Sequence, residues 1–242
     1  MLKVLLISHT PNPQKIIAAA AKMCYSNSGA ETILHNLDDA KTTHFLEFLL
    51  SLGHESPLEH ITFTFAIEGV SRALLAQLTR HRMASYSVKS QRYVDETGFT
   101  YITPPEVEKN EKAKALFDKT MKDIEEAYDK LSELLFEVHK ENMDDKKALK
   151  SAIEDARFVL PNACETKLIM TFNARSLLNF FSERCCTRAQ WEIREMANEI
   201  LRLVKEVAPV VFKKAGPKCI RGNCPEGEMS CGRRKEMMEY YR

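Results

Sequence analysis

The chain's most distinctive stretch, residues 79–93, combines cationic side chains with hydroxyl groups. Its cations are Arg80, His81, Arg82, Lys89 and Arg92, and its hydroxyl residues include Ser85, Tyr86, Ser87 and Ser90. Burying so many unpaired cations would be very costly, so we assign no core element to this stretch. Arginine forks bind two phosphate oxygens at once, and hydroxyls supply further donors. The composition therefore predicts contact with a strongly anionic ligand, and a solvated basic loop is the alternative.

A second polar segment, residues 54–60, holds two histidines and two glutamates within HESPLEH. The spacing does not match HExxH, and Pro57 would break a helix that aligned these side chains, so a zinc site is the less favoured interpretation. We expect a loop or helix start that lines a ligand. Histidines with ordinary structural roles are the alternative.

A third polar segment begins where a strand is predicted to end. Asn173, Arg175 and Asn179 are expected to share one side of a strand-to-helix corner, and Arg184 and Arg188, four residues apart, one helix face. Asparagine and arginine suit recognition of a polar ring or a phosphate. A helix start with ordinary surface charges is the alternative.

The hydrophobic pattern indicates which elements position these segments. A short apolar run predicts a strand at residues 4–7, and alternating apolar residues predict strands at residues 61–67 and 166–173. Helical spacing predicts helices at residues 13–24, 38–52, 70–78, 106–141, 144–158, 175–184 and 188–207, with Gly69 separating strand from helix. Helices around widely separated strands predict an α+β fold with an antiparallel sheet flanked by helices. With only 8 glycines and no βαβ rhythm, a Rossmann or P-loop nucleotide site is disfavoured.

The overall composition limits the class of protein. The 242 residues carry 35 basic and 34 acidic side chains, a net charge of +1 that argues against a general nucleic-acid binder. No apolar run reaches the roughly 20 residues of a membrane span. Seven cysteines without a secretion signal predict reduced thiols in a cytoplasmic protein.

We expect one large domain, residues 1–215, and a cysteine-containing tail, residues 216–242. The tail holds Cys219, Cys224 and Cys231 but no histidine, and zinc usually takes four ligands. An ordered tail without metal is therefore expected, with a redox site or a site bridged between subunits as alternatives. We place Cys185 and Cys186 inside a helix as packing residues.

Several of these segments carry a family resemblance. Arg80-His81-Arg82, followed after seven residues by Ser90, resembles the RHRx7S signature of flavin-dependent thymidylate synthases. Residues 54–60, 173–177 and 189–193 resemble further family segments, in family order. The resemblance spans roughly residues 15–212.

The resemblance implies a reaction, a fold and an assembly. The reaction is methylation of dUMP to dTMP, with 5,10-methylenetetrahydrofolate as carbon donor, FAD as cofactor and NADPH as reductant. The fold is of the thymidylate synthase-complementing type, in a homotetramer with active sites between subunits. No nucleic acid, membrane or metal is implied.

By the same resemblance, two sets of residues are expected to bind the ligands. The implied FAD contacts are His54, Ser56, Glu59, Arg80, His81, Arg82, Asn173, Arg175 and Asn179. The implied dUMP contacts are Gln77, Arg80, Ser90, Gln91, Arg92, Arg184 and, from a neighbouring subunit, Arg157.

The mechanism that we expect is electrostatic and uses no cysteine nucleophile. The flavin supplies a hydride to C6 of the uracil, while arginines stabilise charge on the pyrimidine oxygens. Ser90 and Arg184 are the catalytic candidates. A serine nucleophile needs an adjacent base, and no sequence feature places one next to Ser90, so we interpret Ser90 as a donor that positions the substrate. Many family members have an Asn-Glu pair where this chain has Ser87 and Val88, so a carboxylate contact to the pyrimidine is not assumed. A flavin oxidoreductase without a nucleotide substrate and an RNA-binding module are the alternative functions.

Overall fold

The computed structural model describes residues 1–241; the last residue of the predicted tail, 242, lies outside the described residues. The contacts divide the chain into two compact units. Unit 1 comprises Met1–Lys3, Glu68–Gln77 and Ser87–Leu168. Unit 2 comprises Val4–Ile67, Leu78–Tyr86 and the described chain from Ile169 onward.

One sheet of four strands is found within residues 1–241. Its strands are β1 (Lys3–His9), β2 (Thr62–Ser71), β3 (Ala84–Val88) and β4 (Glu165–Asn173), in the spatial order β1-β2-β4-β3. Strands β2 and β4 run antiparallel, because Arg72 N bonds Cys164 O at one end of the pair and Ala174 N bonds Ile61 O at the other. The α+β fold with an antiparallel sheet, predicted from the sequence, is confirmed.

Helices make up most of the remaining described chain. They are α1 (Pro13–Met23), α2 (Ala30–His35), α3 (Asp39–Ser51), α4 (Arg72–Leu78), α5 (Pro105–Glu108), α6 (Glu111–Lys140), α7 (Asp145–Ala156), α8 (Ala174–Arg184), α9 (Trp191–Val207), α10 (Pro209–Phe212) and α11 (Arg234–Tyr240). Short 3₁₀ helices lie at Ser56–His60, Arg157–Val159, Lys218–Ile220 and Gly227–Met229. None of the helices in this part of the chain is long and apolar enough to cross a bilayer.

An aromatic cluster organises the core of unit 2. The ring of Phe212 packs edge-on against Phe63 of β2 and Phe181 of α8, with centroids 5.6 and 5.9 Å apart. All three rings are fully buried. Alternate residues of a strand point to the same face, so the apolar residues of the alternating pattern predicted at 61–67 lie in the core. The cluster fixes α8 relative to the strands of its own unit.

Helices α6 and α7 pack along each other in unit 1. Asn110 Oδ1 accepts a hydrogen bond from Ala113 N (3.0 Å), and Asp144 Oδ1 accepts one from Lys147 N (3.1 Å), so each helix has a side-chain N-cap. The prediction of a single helix over residues 106–141 is wrong in one respect. The chain forms α5 first and starts again after the cap at Asn110.

One prediction next to the basic stretch is also wrong. Gly69 does not separate strand from helix, because β2 continues to Ser71. Residues 79–93 contain strand β3, which lies at the edge of the sheet with Ser85 and Ser87 exposed on one side. An edge strand has a sheet neighbour on one side only, which agrees with the expectation that this stretch is not a core element.

The tail packs against the rest of unit 2. Cys219, Met237 and Tyr241 are buried. The Tyr241 hydroxyl donates to Asn198 Oδ1 (2.5 Å) of α9, and burial raises the pKa of Tyr241 well above its usual value. The final described residues are therefore part of the core of unit 2.

Gly69 offers a test of the strand geometry in unit 1. Its φ is +70°, and a Cβ at this position would lie 2.2 Å from the carbonyl oxygen of Met1. We expect Gly69→Ala to lower the free energy of unfolding by at least about 1–2 kcal/mol, because alanine is strained at positive φ and the clash is with backbone. Chemical denaturation measures the change. Gly29→Ala, which meets no atom within 4 Å, is the control; equal midpoints for the two variants would contradict this geometry.

Candidate functional site

An open cavity of about 390 Å³ lies in unit 2 beside the junction of β4 and α8. It is lined by Glu59, Arg80, His81, Arg82, Met83, Phe172, Asn173, Arg175, Ser176 and Asn179. Seven of the nine residues in the FAD set are therefore brought together here. The other two, His54 and Ser56, lie just before and at the start of the 3₁₀ helix Ser56–His60 and do not line the cavity.

The corner itself is built by Asn173. This residue ends β4 and caps α8, since its Oδ1 accepts a hydrogen bond from Ser176 N (2.8 Å). Arg175 and Asn179 then follow four residues apart on the first turns of α8, where i and i+4 share a helix face. The cap therefore directs polar side chains toward one side of the corner.

Arg175 is held by two carboxylates. Its Nη1 donates to Glu59 Oε1 at 2.5 Å, and its Nε lies 3.5 Å from Glu55 Oε2. The hydrogen bond that Arg175 donates to Glu59 is the main cause of the raised pKa of Arg175. Because these groups are about half exposed, the pairing contributes little stability. Its effect is to fix the direction of the guanidinium.

Two other arginines at the cavity have no such partner. The side chains of Arg80 and Arg82 are exposed, and neither forms a hydrogen bond or ion pair with any of residues 1–241. Their loop is fastened by Tyr86, whose hydroxyl lies 2.8 Å from His81 O and 3.0 Å from Leu78 O. Burial raises the pKa of Tyr86 to about 12, so it remains a donor at neutral pH. The cavity thus presents two uncompensated cations on a fixed loop.

His81 is coupled to Arg184, the last residue of α8. Arg184 Nε donates to His81 Nε2 (3.0 Å), and because a guanidinium only donates, Nε2 must be the unprotonated ring nitrogen. Burial and then the charge of Arg184 lower the pKa of His81. The ring packs edge-on against Phe180, with centroids 5.0 Å apart. The pair keeps His81 neutral while it orients Arg184.

The remaining residues of the dUMP set, Gln77, Ser90, Gln91, Arg92 and Arg157, belong to unit 1. There, Glu154 meets both arginines. Arg92 Nε lies 2.7 Å from Glu154 Oε1 and its Nη2 3.0 Å from Oε2, while Arg157 Nε donates to Glu154 O (3.1 Å). Two parallel N–H···O contacts to one carboxylate form the forked geometry that also suits a phosphate. This hydrogen-bonded pair lowers the pKa of Glu154 and raises that of Arg92.

Ser90 and Gln91 differ in what they offer a ligand. Gln91 is buried, and its Nε2 donates to Cys164 Sγ (3.6 Å), so its side chain is already engaged. Ser90 Oγ accepts from Arg92 N (3.3 Å) and, within the described chain, contacts no carboxylate, imidazole or amine. Beside them, Lys89 Nζ forms a largely buried ion pair with Glu96 Oε2 (2.6 Å), which anchors the segment.

One prediction about the third segment is wrong. Arg184 and Arg188 do not share a helix face, because α8 ends at Arg184 and α9 begins only at Trp191, behind a cap formed by Gln190. For the same reason, Cys185 and Cys186 lie outside a helix. Arg188 instead pairs with Glu226 of the tail. Glutamine is not one of the usual N-cap residues, so the sequence carried no clear signal for this boundary.

Comparisons with known proteins agree with the arrangement of these segments. Residues 5–210 match the family model described as "Thymidylate synthase complementing protein". A flavin-dependent thymidylate synthase of Clostridium tetani is 56% identical over 241 residues, covering 99% of this chain and 97% of the relative. Those of Geobacter sulfurreducens (48% over 243 residues, 100% and 98%) and Nitratidesulfovibrio vulgaris (46% over 238 residues, 96% and 94%) are also similar.

The chain belongs to the flavin-dependent thymidylate synthase family. Members of this family are methyltransferase enzymes that depend on a flavin. The family match ends at residue 210, before the tail.

Sequence reasoning named Glu59 but missed Glu55 and Glu154, the other carboxylates that hold the arginines. Glu55 lies in the HESPLEH segment, whose two histidines, His54 and His60, are exposed. Glu154 lies three residues before Arg157, a spacing that places both on one helix face. No three His, Cys, Asp or Glu side chains are arranged for a metal ion in the part of the chain that the structure describes.

The lowered pKa of His81 predicts a pH dependence of stability. The unfolded state, with a histidine pKa near 6.5, takes up a proton before the folded state does. The contribution of His81 is thus fully present above about pH 6.5 and is lost as the pH falls below it, with a slope of at most about 1.4 kcal/mol per pH unit. Denaturation of wild type and His81→Gln between pH 7.5 and 5 measures this loss.

We expect the wild type to lose more stability than His81→Gln over that range. His35→Gln, at an exposed histidine, is the control and should follow the wild type. If His81→Gln and wild type show the same pH dependence, His81 does not hold a neutral ring against Arg184.

Proposed function

We propose that this protein converts dUMP to dTMP, taking the carbon from 5,10-methylenetetrahydrofolate and the reducing equivalents from NADPH through FAD. The observation that carries the proposal is the pair of uncompensated arginines, Arg80 and Arg82, at the cavity beside the β4–α8 corner. Membership in a flavin-dependent thymidylate synthase family supports the same reaction.

The cavity has the chemistry to hold FAD. The cofactor's diphosphate is anionic, and Arg80 and Arg82 carry charges that no group in residues 1–241 neutralises. The amides of Asn173 and Asn179 add both donors and acceptors for ring or ribose atoms. When bound, the flavin supplies the hydride for C6 of the uracil. The chain's part is to bind the cofactor and to fix its orientation.

The nucleotide phosphate is assigned to Arg92 and Arg157. In the structure, the carboxylate of Glu154 fills the fork of Arg92. A phosphate dianion matches the same fork and carries more charge, so it can replace this carboxylate as the partner of Arg92. Glu154 thus holds the arginine in a binding geometry before the substrate arrives, which lowers the entropy cost of binding.

Charge stabilisation, rather than covalent catalysis, fits the groups present. Ser90 Oγ forms no hydrogen bond to a basic side chain among the described residues of unit 1, which disfavours a serine nucleophile. Burial raises the pKa of Cys164 to about 11 and of Cys185 to about 12, so these thiols stay protonated and unreactive. Arg184, fixed by His81, is our candidate for stabilising charge on the pyrimidine.

We also propose assembly into a homotetramer in the cytoplasm. Leu116, Leu134 and Val138 of the long helix α6 are more than half exposed, and apolar residues on an open helix face favour contact with another subunit. The resemblance assigns Arg157 to a neighbouring subunit's site, which requires such an assembly.

Free thiols at all seven cysteines support a reducing compartment. We assign the catalytic reaction to the domain of residues 1–215, and we assign no catalytic role to the tail.

Product analysis tests the reaction directly. Purified protein is incubated with dUMP, 5,10-methylenetetrahydrofolate, FAD and NADPH, and the nucleotides are separated by chromatography. We expect dTMP, and no dTMP when any one of the first three is omitted. A protein that binds flavin and oxidises NADPH but forms no dTMP would overturn the proposal in favour of a flavin oxidoreductase.

Substitution of Arg92 separates nucleotide binding from flavin binding. We expect Arg92→Gln to raise the dissociation constant of dUMP at least about tenfold, because a charge-assisted fork to the phosphate is lost. Flavin affinity should not change. Arg202→Gln, an exposed arginine of α9 paired with Glu199, is the matched control for loss of one positive charge. Equal dUMP affinities in the two variants would remove Arg92 from the site.

Substitution of Ser90 distinguishes positioning from nucleophilic attack. We expect Ser90→Ala to keep turnover within about a hundredfold of the wild type, since removing a covalent nucleophile costs on the order of 10⁶-fold. Ser85→Ala, in the same stretch and exposed, should leave turnover unchanged. Complete loss of dTMP formation in folded Ser90→Ala that still binds dUMP would favour a covalent role.

A further inference from the structure

A second cavity in unit 2, of about 260 Å³, is lined by four thiols. They are Cys186, from the segment after α8, and Cys219, Cys224 and Cys231, from the tail. The sequence showed three of these thiols as one group and placed the fourth in a helix. None of the functions assigned above uses them.

Polar contacts fix the tail against the segment that carries Cys186. Arg188 Nη1 donates to Met229 O (3.0 Å) and also pairs with Glu226. On the other side, Arg234 Nε donates to Cys219 O (3.1 Å). Residues on both sides of Cys231 are therefore held at the cavity, and the thiols stay close without a covalent link.

Cys231 is the thiol of this group that a peroxide can reach. It is exposed, and hydrogen bonding lowers its pKa. Arg188, two residues after Cys186, donates to the carbonyl of Met229, two residues before Cys231, so the segments that carry these two thiols are held together. A low-pKa exposed thiol beside a second thiol is the arrangement of a peroxide-sensitive cysteine pair.

The other two thiols are less suited to this chemistry. Burial raises the pKa of Cys219, and Cys224 is the thiol whose charge affects it most. Among residues 1–241, these thiols are not arranged so that three or more of them could bind one metal ion. Cys219 is buried and Cys186 and Cys224 are half-buried, so Cys231 is the exposed thiol of this group.

We propose that Cys231 and Cys186 form a reversible disulfide when the protein meets a hydroperoxide. The Cys231 thiolate attacks the O–O bond, so that an S–O bond forms and the alkoxide or hydroxide leaves and takes up a proton. Cys186 then attacks the sulfur of the sulfenic acid, the S–S bond forms, and water leaves. The two thiols supply the two electrons that reduce the peroxide. The bond links the tail to the segment after α8, and a small dithiol reverses it.

Peptide mapping of the purified, full-length flavoprotein under non-reducing conditions tests the pairing. After treatment with hydrogen peroxide, we expect one cross-linked peptide that joins Cys186 to Cys231, with loss of two hydrogens per chain. Dithiothreitol should restore both free thiols. The variants Cys231→Ser and Cys186→Ser should each lack this peptide, whereas Cys224→Ser and Cys24→Ser should keep it.

Several results would overturn the proposal. They are a disulfide of Cys231 with Cys219 or Cys224, oxidation of Cys231 to sulfinic or sulfonic acid without a disulfide, or unchanged thiols after treatment. A stoichiometric metal ion that protects the four thiols in the untreated protein would also overturn it. None of these readouts uses dTMP formation, so the test is independent of the proposed reaction.

Discussion

The Tyr86 hydroxyl, 2.8 Å from the carbonyl oxygen of His81, fixes the loop that presents Arg80 and Arg82 at the cavity of unit 2. Without that contact, a loop carrying two uncompensated charges would be free to spread into solvent. Burial raises the pKa of Tyr86 to about 12, and at neutral pH its hydroxyl is protonated, as that of an unperturbed tyrosine also is. Both arginines lack a hydrogen-bond or ion-pair partner within residues 1–241, so a bound anion would gain charge-assisted contacts at this cavity.

The other arginines proposed for the site follow a complementary rule: neighbouring groups orient each of them before any ligand binds. Within unit 2, Glu59 orients Arg175 and the neutral ring of His81 orients Arg184. Within unit 1, Glu154 orients Arg92. A carboxylate or imidazole partner reduces the rotamer freedom that binding would otherwise remove, so affinity is gained through preorganisation. The arrangement also explains why HESPLEH is rich in acid: its glutamates hold an arginine.

Sequence reasoning predicted the α+β fold because residues 61–67 and 166–173 alternate cleanly and form the two central strands. It missed β3, since the charges of residues 79–93 obscured the alternation of Ala84, Tyr86 and Val88 with two serines. It also joined Arg184 to Arg188, because helical spacing alone cannot show that Gln190 caps a new helix. Contacts between distant segments, such as Glu154 with Arg92, depend on tertiary packing and leave no local signal.

The most direct measurement of the central claim is the dissociation constant of FAD in a variant that lacks both uncompensated cations. The Arg80→Gln/Arg82→Gln double variant is compared with wild type and with Arg202→Gln/Arg233→Gln, which removes two exposed arginines that are paired with glutamates. The account predicts that FAD affinity falls at least about tenfold in the first variant and stays at the wild-type value in the second. Equal FAD affinity in all three proteins would contradict it.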